Sequence, residues 1–286
     1  MFPHPLDLSE QSPTAHAVPP VVVIVPTYNE AENIQAACER LRRAVPTAGI
    51  LIVDDNSPDG TGVIADRLAA EGSLTWVLHR PGKGGLGRAY GEGMTWALDH
   101  GARFLVEIDA DGSHDPAALP ALLDEARRGT DLVIGSRYVP GGTTRGWSPW
   151  RLALSRLGNT YARALLRLGV HDATSGYRVY SARALRQIQL ATVSSRGYCF
   201  QIEMTLAAVV AGLPVSEVPI EFTERQHGSS KMSWAVGLEA LWNVTRWRLA
   251  GRSGPSRGEA AHPGPGPSEP PAAPAPGRRA AATTDA

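Results

Sequence analysis

The sequence has few cysteines and no net charge, and each of these shortages excludes a class of protein. Its 286 residues include two cysteines, Cys38 and Cys199, without a CxxC or Cys/His spacing. A disulfide framework and a structural zinc site are therefore not expected. The 28 basic residues equal the 28 acidic residues. A neutral chain has no overall attraction for nucleic acid, so any site for an anion must be local.

Long apolar runs are also absent. The longest aliphatic run covers residues 21–25, far fewer than the ~20 residues that a membrane-spanning helix needs. The first 20 residues have neither a basic start nor an apolar core, so they do not predict a secretory signal. We therefore expect a cytoplasmic protein without a transmembrane segment.

Composition divides the chain into three parts. Residues 1–19 carry four prolines, and residues 252–286 are rich in proline, alanine and glycine without an aromatic residue. Such segments cannot bury enough apolar area to offset chain entropy, so both are predicted to be disordered. Residues 20–251 are predicted to form one folded domain, because 43 % of the chain is hydrophobic.

Short aliphatic runs alternate with helical patterns up to residue 140. The runs predict strands at 21–25, 50–55, 74–79, 104–111 and 131–137, with helices at 30–45, 61–71, 86–100 and 116–128. Continuous apolar strands separated by helices indicate a mostly parallel sheet covered on both faces. Ligands of such sheets bind beyond the carboxyl ends of the strands. Polar clusters follow four of these strands: PTYNE, DDNSPDG, DADGSH and SRY.

The strongest local signal is the pair Asp109 and Asp111 at the end of the fourth predicted strand. Two carboxylates two residues apart can share a hard divalent cation that also bridges phosphate oxygens. Such pairs also close many strands as solvated turn residues, and the turn composition of this loop predicts that it is exposed. Its position at the carboxyl edge of the sheet favours the metal.

The loops after the first two strands have two interpretations. Tyr28 offers a flat face for a base, Glu30 an acceptor for its N–H groups, and Asp55 a further acceptor. Proline, asparagine, aspartate, serine and glycine are also the usual turn residues, so the pattern leaves a nucleoside pocket and plain turns open. The glycine-rich segment 82–87 indicates either a phosphate cradle or a flexible start to the next helix.

Arginine and tryptophan dominate the second half. From Arg145 to Arg186 there are eight arginines and one acid, Asp172. A helix predicted at 149–169 carries Trp150 and four arginines. Tryptophan and arginine together suit anionic lipid headgroups, and an oligomer contact is the alternative. The last predicted helix, 233–249, carries three tryptophans, Trp234, Trp242 and Trp247. Trp242 and Trp247 lie about 500° apart on a helix, so they cannot share one narrow stripe, whereas Trp234 and Trp242 can share a broad face toward the lipid.

The ordered set of motifs between residues 21 and 233 resembles glycosyltransferase family 2, particularly its polyprenyl- or dolichyl-phosphate mannosyltransferases. The motifs are PTYNEAENI, VDDNSPDGT, RPGKGGLGRAY, DADGSHDP, GSRYVPGG, DATSGYR, GYCFQIEM, VPIEF and GSSK. The resemblance implies a GT-A fold, with a mostly parallel central sheet flanked by helices. The tryptophan and arginine pattern adds C-terminal amphipathic helices at a membrane interface. The resemblance also implies transfer of mannose from GDP-mannose to a polyprenyl phosphate with Mg²⁺ or Mn²⁺.

The same resemblance implies roles for individual residues. Asp109, Ala110 and Asp111 would contact the sugar nucleotide, with both aspartates at the metal and Ser113 where some relatives have a glutamine ligand. Arg151 falls on the helix beside the acceptor. The guanosine would be held by Pro26, Tyr28, Glu30, Val53 and Asp55. The cations facing the donor and acceptor phosphates would be Arg137, Arg225 and Lys231. The residues expected to act in catalysis are Asp109, Asp111, Arg137 and Arg225.

The implied acceptor also predicts the mechanism. A phosphate monoester is mostly dianionic at neutral pH, so its oxygen can attack the anomeric carbon without a protein base. One in-line displacement would invert that centre, and cations must neutralise both anionic reactants. The alternatives are a glucosyltransferase that uses a UDP-sugar and a non-catalytic sugar-nucleotide-binding protein at the membrane. A nucleotidyltransferase fits less well, because PTYNE is not a triphosphate loop.

Access to a lipid substrate leaves two possibilities. The protein would lie at the cytoplasmic face and reach its lipid through a peripheral, anionic membrane surface or a membrane-anchored partner protein. Nucleic acid is not an expected partner.

Overall fold

A seven-stranded sheet forms the centre of the part of the chain that the structure describes. The computed structural model describes residues 18–72, 74–188, 190, 198–224 and 234–251. Residues 1–17 and 252–286, most of the two segments predicted to be disordered, therefore lie outside the described residues.

Nine strands and eight helices lie within the described ranges. Strands β1 to β9 are, in chain order, Val21–Thr27, Gly49–Asp54, Thr75–His79, Phe104–Glu107, Leu132–Ser136, Thr143–Arg145, Arg178–Ser181, Val215–Pro219 and Glu221–Thr223. Helices α1 to α8 are Ile34–Ala44, Thr61–Glu71, Leu86–Asp99, Leu119–Arg127, Pro149–Leu166, Ala182–Ile188, Tyr198–Val210 and Trp234–Leu249.

The order of the strands creates a crevice at the centre of the sheet. The order is β3-β2-β1-β4-β7-β5-β8, and β7 runs antiparallel to both of its neighbours while the other pairs are parallel. The chain moves outward from β1 to β3 and then returns to β4 on the other side of β1. The loops after β1 and β4 therefore diverge, which is where open α/β sheets bind ligands. The predicted mostly parallel sheet is confirmed.

Both faces of the sheet are covered, as the uninterrupted apolar strands predicted. Side chains of a strand alternate between faces, and β1 sends Val22 and Ile24 into one core and Val21, Val23 and Val25 into the other. The first core packs against α3, α5, α6, α7 and α8, and the second against α1, α2 and α4. Strand β1 is buried along its whole length, so it anchors the crevice at its carboxyl end.

Helix α3 approaches the sheet most closely at Gly93. A Cβ atom added there would lie 2.7 Å from Cγ2 of Ile24 and 3.0 Å from Cγ2 of Val53. Both neighbours are fully buried strand residues, so they have little room to move. Glycine is therefore needed where α3 crosses β1 and β2.

Several predicted elements differ from the observed ones. The predicted strand 104–111 ends at Glu107, where its pairing with β7 also ends. A short strand is also predicted from the sequence at residues 216–222. In the structure it divides after Pro219 into β8 and β9, which belong to different sheets, because proline has no N–H to continue the ladder. Helix α7 was not predicted, since its residues are apolar on nearly every side and give no amphipathic period.

Helices α5 and α8 pack together, and the hydroxyl groups of Tyr161 and Thr245 lie 2.7 Å apart. Trp247 is 8 % exposed and belongs to the core, which agrees with the prediction that Trp242 and Trp247 do not share one stripe. Trp242, five residues earlier, is exposed, because about 500° of helical rotation separates the two side chains. No helix in the described ranges is long and apolar enough to cross a membrane.

A pair of glycines on α3 tests the close approach. Gly93→Ala should lower the free energy of unfolding by about 1–3 kcal/mol, because the methyl group must displace Ile24 or Val53. Gly91→Ala is the matched control: nothing lies within 4 Å of its Cβ position, so better helix propensity should raise stability by up to about 1 kcal/mol. Urea unfolding measures both, and equal effects of the two substitutions would contradict this packing.

Candidate active site

The loops that follow β1 and β2 are joined by hydrogen bonds at the carboxyl edge of the sheet. The backbone N–H of Asn29 donates to Oγ of Ser57 at 3.1 Å, and that of Glu30 donates to Oγ1 of Thr61 at 2.9 Å. Pro26 and Val53 pair in register between the two strands. The predicted guanosine residues of these two loops therefore lie side by side.

Asp55 holds the glycine-rich loop in place. Its carboxylate accepts hydrogen bonds from Nη1 of Arg80 and, at 3.1 Å, from the backbone N–H of Gly84. Arg80 also donates to both carboxylate oxygens of Glu92, at 2.9 and 3.0 Å. A Cβ atom on Gly84 would meet the guanidinium of Arg80, which Asp55 and Glu92 hold in place, so glycine at this position allows the loop to approach Arg80 closely.

Tyr28 already has a cation over its ring. The ammonium nitrogen of Lys83 lies 4.0 Å from the ring centroid, within the range of a cation–π contact. A base that stacked on this face would have to displace Lys83. The two predicted features, an aromatic platform and a glycine-rich loop, therefore form one surface.

The loop that holds Asp109 and Asp111 is buried, so the prediction that it is exposed is wrong. Asp111 is 6 % exposed and Ser113 is 2 % exposed. The N–H and hydroxyl of Ser113 both donate to Oδ1 of Asp111, which satisfies these buried polar groups. Asp109 is less buried and accepts a 3.0 Å hydrogen bond from the hydroxyl of Tyr90. His114 packs between Tyr177 and Phe222.

The carboxylates in this loop fit a divalent cation that binds together with a phosphate substrate. In the described ranges no group of three or more His, Cys, Asp or Glu side chains is arranged to hold a metal ion. Mg²⁺ is usually held by one or two carboxylates together with substrate phosphates and water, rather than by an all-protein cage. Asp109 and Asp111 supply that number of carboxylates at the edge of the crevice.

Arg137 follows β5 and is fixed by a buried carboxylate. Its Nε and Nη2 atoms donate to the two carboxylate oxygens of Asp172, at 2.7 and 2.6 Å, and its backbone N–H donates at 3.0 Å. The side chains of Arg137 and Asp172 are 5 % and 0 % exposed. Burial would raise the pKa of Asp172, but the guanidinium and the hydrogen bonds it receives hold that pKa below its usual value.

Further contacts orient the Arg137 pair. Thr174 accepts from Nη2 of Arg137 at 2.8 Å and from the side-chain amide of Asn159 on α5 at 3.0 Å. Glu217 on β8 accepts from the backbone N–H of Asp172 at 2.9 Å. The guanidinium of Arg137 is thus held by Asp172 and Thr174, which are themselves fixed by contacts with α5 and β8.

A second buried arginine supports the floor of the crevice. Arg178 is fully buried and donates to the carbonyl oxygens of Ala173, Ser175 and Gln201 at 2.7–2.9 Å. Arg178 pairs across the sheet with Glu107. Full burial raises the pKa of Glu107 to about 7, although the positive charge of Arg178 acts to lower it. Arg178 therefore fixes the loop that faces Asp109 through Gly176.

The structure thus brings together most of the predicted site residues. Those at the carboxyl edge are Pro26, Tyr28, Glu30, Val53, Asp55, Asp109, Ala110, Asp111, Ser113 and Arg137. Arg225, Lys231 and the GSSK motif lie outside the described residues. Sequence reasoning assigned no role to Arg80, Glu92 or Asp172, although a single acid among eight arginines is the pattern of a buried counterion.

Comparisons with known proteins agree on one family. A family model described as "Glycosyl transferase family 2" matches residues 22–189. The polyprenol monophosphomannose synthase of Mycolicibacterium smegmatis is 51 % identical over 251 residues, which are 87 % of this chain and 94 % of that protein. The undecaprenyl-phosphate mannosyltransferase of Micrococcus luteus is 52 % identical over 232 residues, 81 % of this chain and 95 % of that protein.

Solved structures share the fold at low sequence identity. A mannosyltransferase from Pyrobaculum calidifontis in complex with GDP-Man and Mn²⁺ has a TM-score of 0.56 at 17 % identity, covering 87 % of this chain and 70 % of that one. A glucosyl-3-phosphoglycerate synthase from Mycobacterium tuberculosis in complex with Mn²⁺, UDP and glucosyl-3-phosphoglycerate has a TM-score of 0.58 at 20 % identity, covering 89 % of this chain and 90 % of that one. The predicted GT-A type fold is confirmed.

The buried pair predicts strong coupling between Arg137 and Asp172. Arg137→Ala alone should lower the free energy of unfolding by about 3–5 kcal/mol, because it leaves Asp172 buried without its counterion. The double variant Arg137→Met/Asp172→Leu should recover most of that loss. Arg127→Ala, which breaks an exposed pair with Asp124, should cost less than about 1 kcal/mol. Urea unfolding in which the double variant is no more stable than Arg137→Ala would contradict the coupling.

Proposed function

Because this chain belongs to glycosyl transferase family 2 and is a glycosyltransferase, we propose that it transfers mannose from GDP-mannose to a polyprenyl phosphate. The observation that carries the proposal is identity above 50 %, over at least 81 % of this chain, with two relatives named for mannosyl transfer to polyprenol carriers. The motifs at the carboxyl edge lie within residues 22–189, which the family model matches.

The donor would bind across the loops after β1, β2 and β4. Tyr28 would offer an aromatic face once Lys83 moves from it, and Glu30 would offer a carboxylate to the N–H donors of a guanine base. Asp55 would contribute by holding the glycine-rich wall of the pocket through Arg80 and Gly84. Pro26 and Val53 line the strand ends beneath it. Asp109 and Asp111 would hold Mg²⁺ or Mn²⁺, which would neutralise the diphosphate and stabilise the departing GDP.

The acceptor would need no protein base. Its phosphate is mostly dianionic at neutral pH, so an oxygen can displace GDP directly and invert the anomeric carbon. The protein must instead offset the repulsion between two anionic reactants. Arg137 and Arg151 are the described cations proposed for this role, and Arg225 and Lys231 are proposed with them from the motif alone.

The lipid would reach the site from a peripheral membrane surface on α5 and α8. Trp150 and Leu157 are each 67 % exposed, and Trp242 and Leu249 are 69 % and 83 % exposed. Residues seven apart differ by about 20° around a helix, so each pair forms one apolar stripe. We propose contact with anionic lipid at the cytoplasmic face, with a membrane-anchored partner protein as the alternative.

A nucleotide-release assay tests the donor and separates the nearest alternative. Purified protein is incubated with a polyprenyl phosphate and either GDP-mannose or UDP-glucose, and release of GDP or UDP is followed. The proposal predicts acceptor-dependent GDP release and no comparable UDP release. UDP release from UDP-glucose alone would identify a glucosyltransferase instead.

Substitution at Asp111 tests the metal site. Asp111→Asn should lower transfer by about a hundredfold or more, because charge stabilisation by a metal contributes several kcal/mol. The amide oxygen can still accept from Ser113, so the fold should survive. Asp115→Asn removes the same charge from the exposed part of this loop and should leave transfer unchanged. Initial rates over a range of Mg²⁺ and Mn²⁺ concentrations measure both, and near-normal transfer by Asp111→Asn would refute the assignment.

Liposome sedimentation tests the membrane surface. Replacing Trp150 and Trp242 by serine should lower binding to anionic liposomes by about tenfold, because large apolar side chains lose their burial in lipid. Val63→Ser is the control, since Val63 is 74 % exposed on α2, which covers the other face of the sheet. If the double variant binds as the parent does, a separate membrane-anchored partner becomes the better explanation.

A further inference from the structure

Two arginines near the proposed phosphate site differ in how exposed their counterions are to solvent. The carboxylate of Asp172, which binds Arg137, is 0 % exposed. Arg151 is paired with Glu224 at 2.6 Å, and these side chains are 21 % and 45 % exposed. A buried partner cannot leave without a large penalty, whereas an exposed ion pair contributes little and exchanges readily. Arg137 therefore has a fixed counterion, and Arg151 has an exchangeable one.

The backbone around Glu224 is built for its close approach to Arg151. The N–H of Glu224 donates to the carbonyl oxygen of Arg145 at 2.9 Å. Gly146 has a φ of +81°, and a Cβ atom there would lie 2.9 Å from Cβ of Glu224. A side chain at position 146 would thus be strained and would displace Glu224. The backbone of Glu224 is held while its carboxylate remains at the surface.

Arg151 is held independently of Glu224. Its guanidinium carbon lies 4.3 Å from the ring centroid of Trp147, which in turn contacts Phe222 edge to face at 5.3 Å. Such stacking orients a guanidinium plane without using its N–H donors. The Nε atom of Arg151 is buried without a hydrogen-bond partner among the described residues. The guanidinium can therefore keep its place when the carboxylate departs.

From this geometry we infer that Glu224 is a placeholder for the acceptor phosphate on Arg151, an inference that rests on the proposed transfer to a phosphate monoester. The carboxylate neutralises Arg151 while the acceptor is absent. An arriving phosphate dianion offers more charge and more acceptor oxygens to the same guanidinium, so it displaces the carboxylate. Glu224 then swings into solvent, and Trp147 continues to orient Arg151.

The sign of one substitution separates this role from simple positioning. If Glu224 competes with the phosphate, Glu224→Gln should lower the KM for the acceptor about two- to fivefold, the range of a partly exposed ion pair, with kcat unchanged. If Glu224 instead positions Arg151, the same substitution should raise that KM. The assay uses the full chain, saturating GDP-mannose and a short-chain isoprenyl phosphate in detergent, so that membrane docking does not contribute.

Two control backgrounds complete the kinetic test. Glu221→Gln removes the same charge from the neighbouring exposed pair with Arg145 and should leave KM unchanged. When Glu224→Gln is added to the Arg151→Gln variant, the KM for the acceptor should not fall, because the guanidinium for which the carboxylate and the phosphate compete is gone. An unchanged or raised KM in Glu224→Gln would overturn the placeholder. So would an equal decrease in KM when Glu224→Gln is made in the parent protein and in the Arg151→Gln variant.

Calorimetry without donor separates this inference from the proposed function. Isoprenyl phosphate should bind Glu224→Gln about two- to fivefold more tightly than the parent protein, and weaker or equal binding would overturn the placeholder. Tighter binding with no transfer of mannose by the parent would support the placeholder and refute the proposed function.

Discussion

Charged side chains that are almost completely buried surround the carboxyl edge of the sheet. Each of these buried charges needs a fixed partner. Asp55 is matched by Arg80, Asp172 by Arg137, and Arg178 by a set of carbonyl oxygens. Removing one member of a buried ion pair typically costs several kcal/mol. The loops that carry these residues are therefore tied to single arrangements, and the shape of the crevice depends on them.

The same constraint explains how the proposed reaction can proceed. A dianionic acceptor and a nucleotide diphosphate repel each other, and cations that are already oriented lose little free energy in reorganising around them. Arg137 is oriented permanently by Asp172, whereas the exposed partner of Arg151 can be exchanged for substrate. A protein base is not needed for a phosphate nucleophile. The chemistry therefore depends on where positive charge is held.

Sequence patterns predicted the elements whose signal is local. Strands β1 to β5 are short, apolar and bounded by polar turns, and the motifs at their ends lie in the crevice as expected. Contacts between distant residues gave no such signal: Asp55 and Arg80 are 25 positions apart. Burial was misjudged where composition was ambiguous. The loop at Asp111 has turn residues, yet the side chains of Asp111 and Ser113 are buried.

The structure of the product tests the central claim most directly. Mannosyl lipid made from GDP-mannose and a short-chain polyprenyl phosphate can be extracted and examined by carbon, proton and phosphorus NMR. Direct attack by the phosphate oxygen predicts one product, a β-linked mannosyl phosphodiester whose anomeric carbon couples to phosphorus. An α-linked product, or mannose bonded to anything other than the lipid phosphate, would contradict this account.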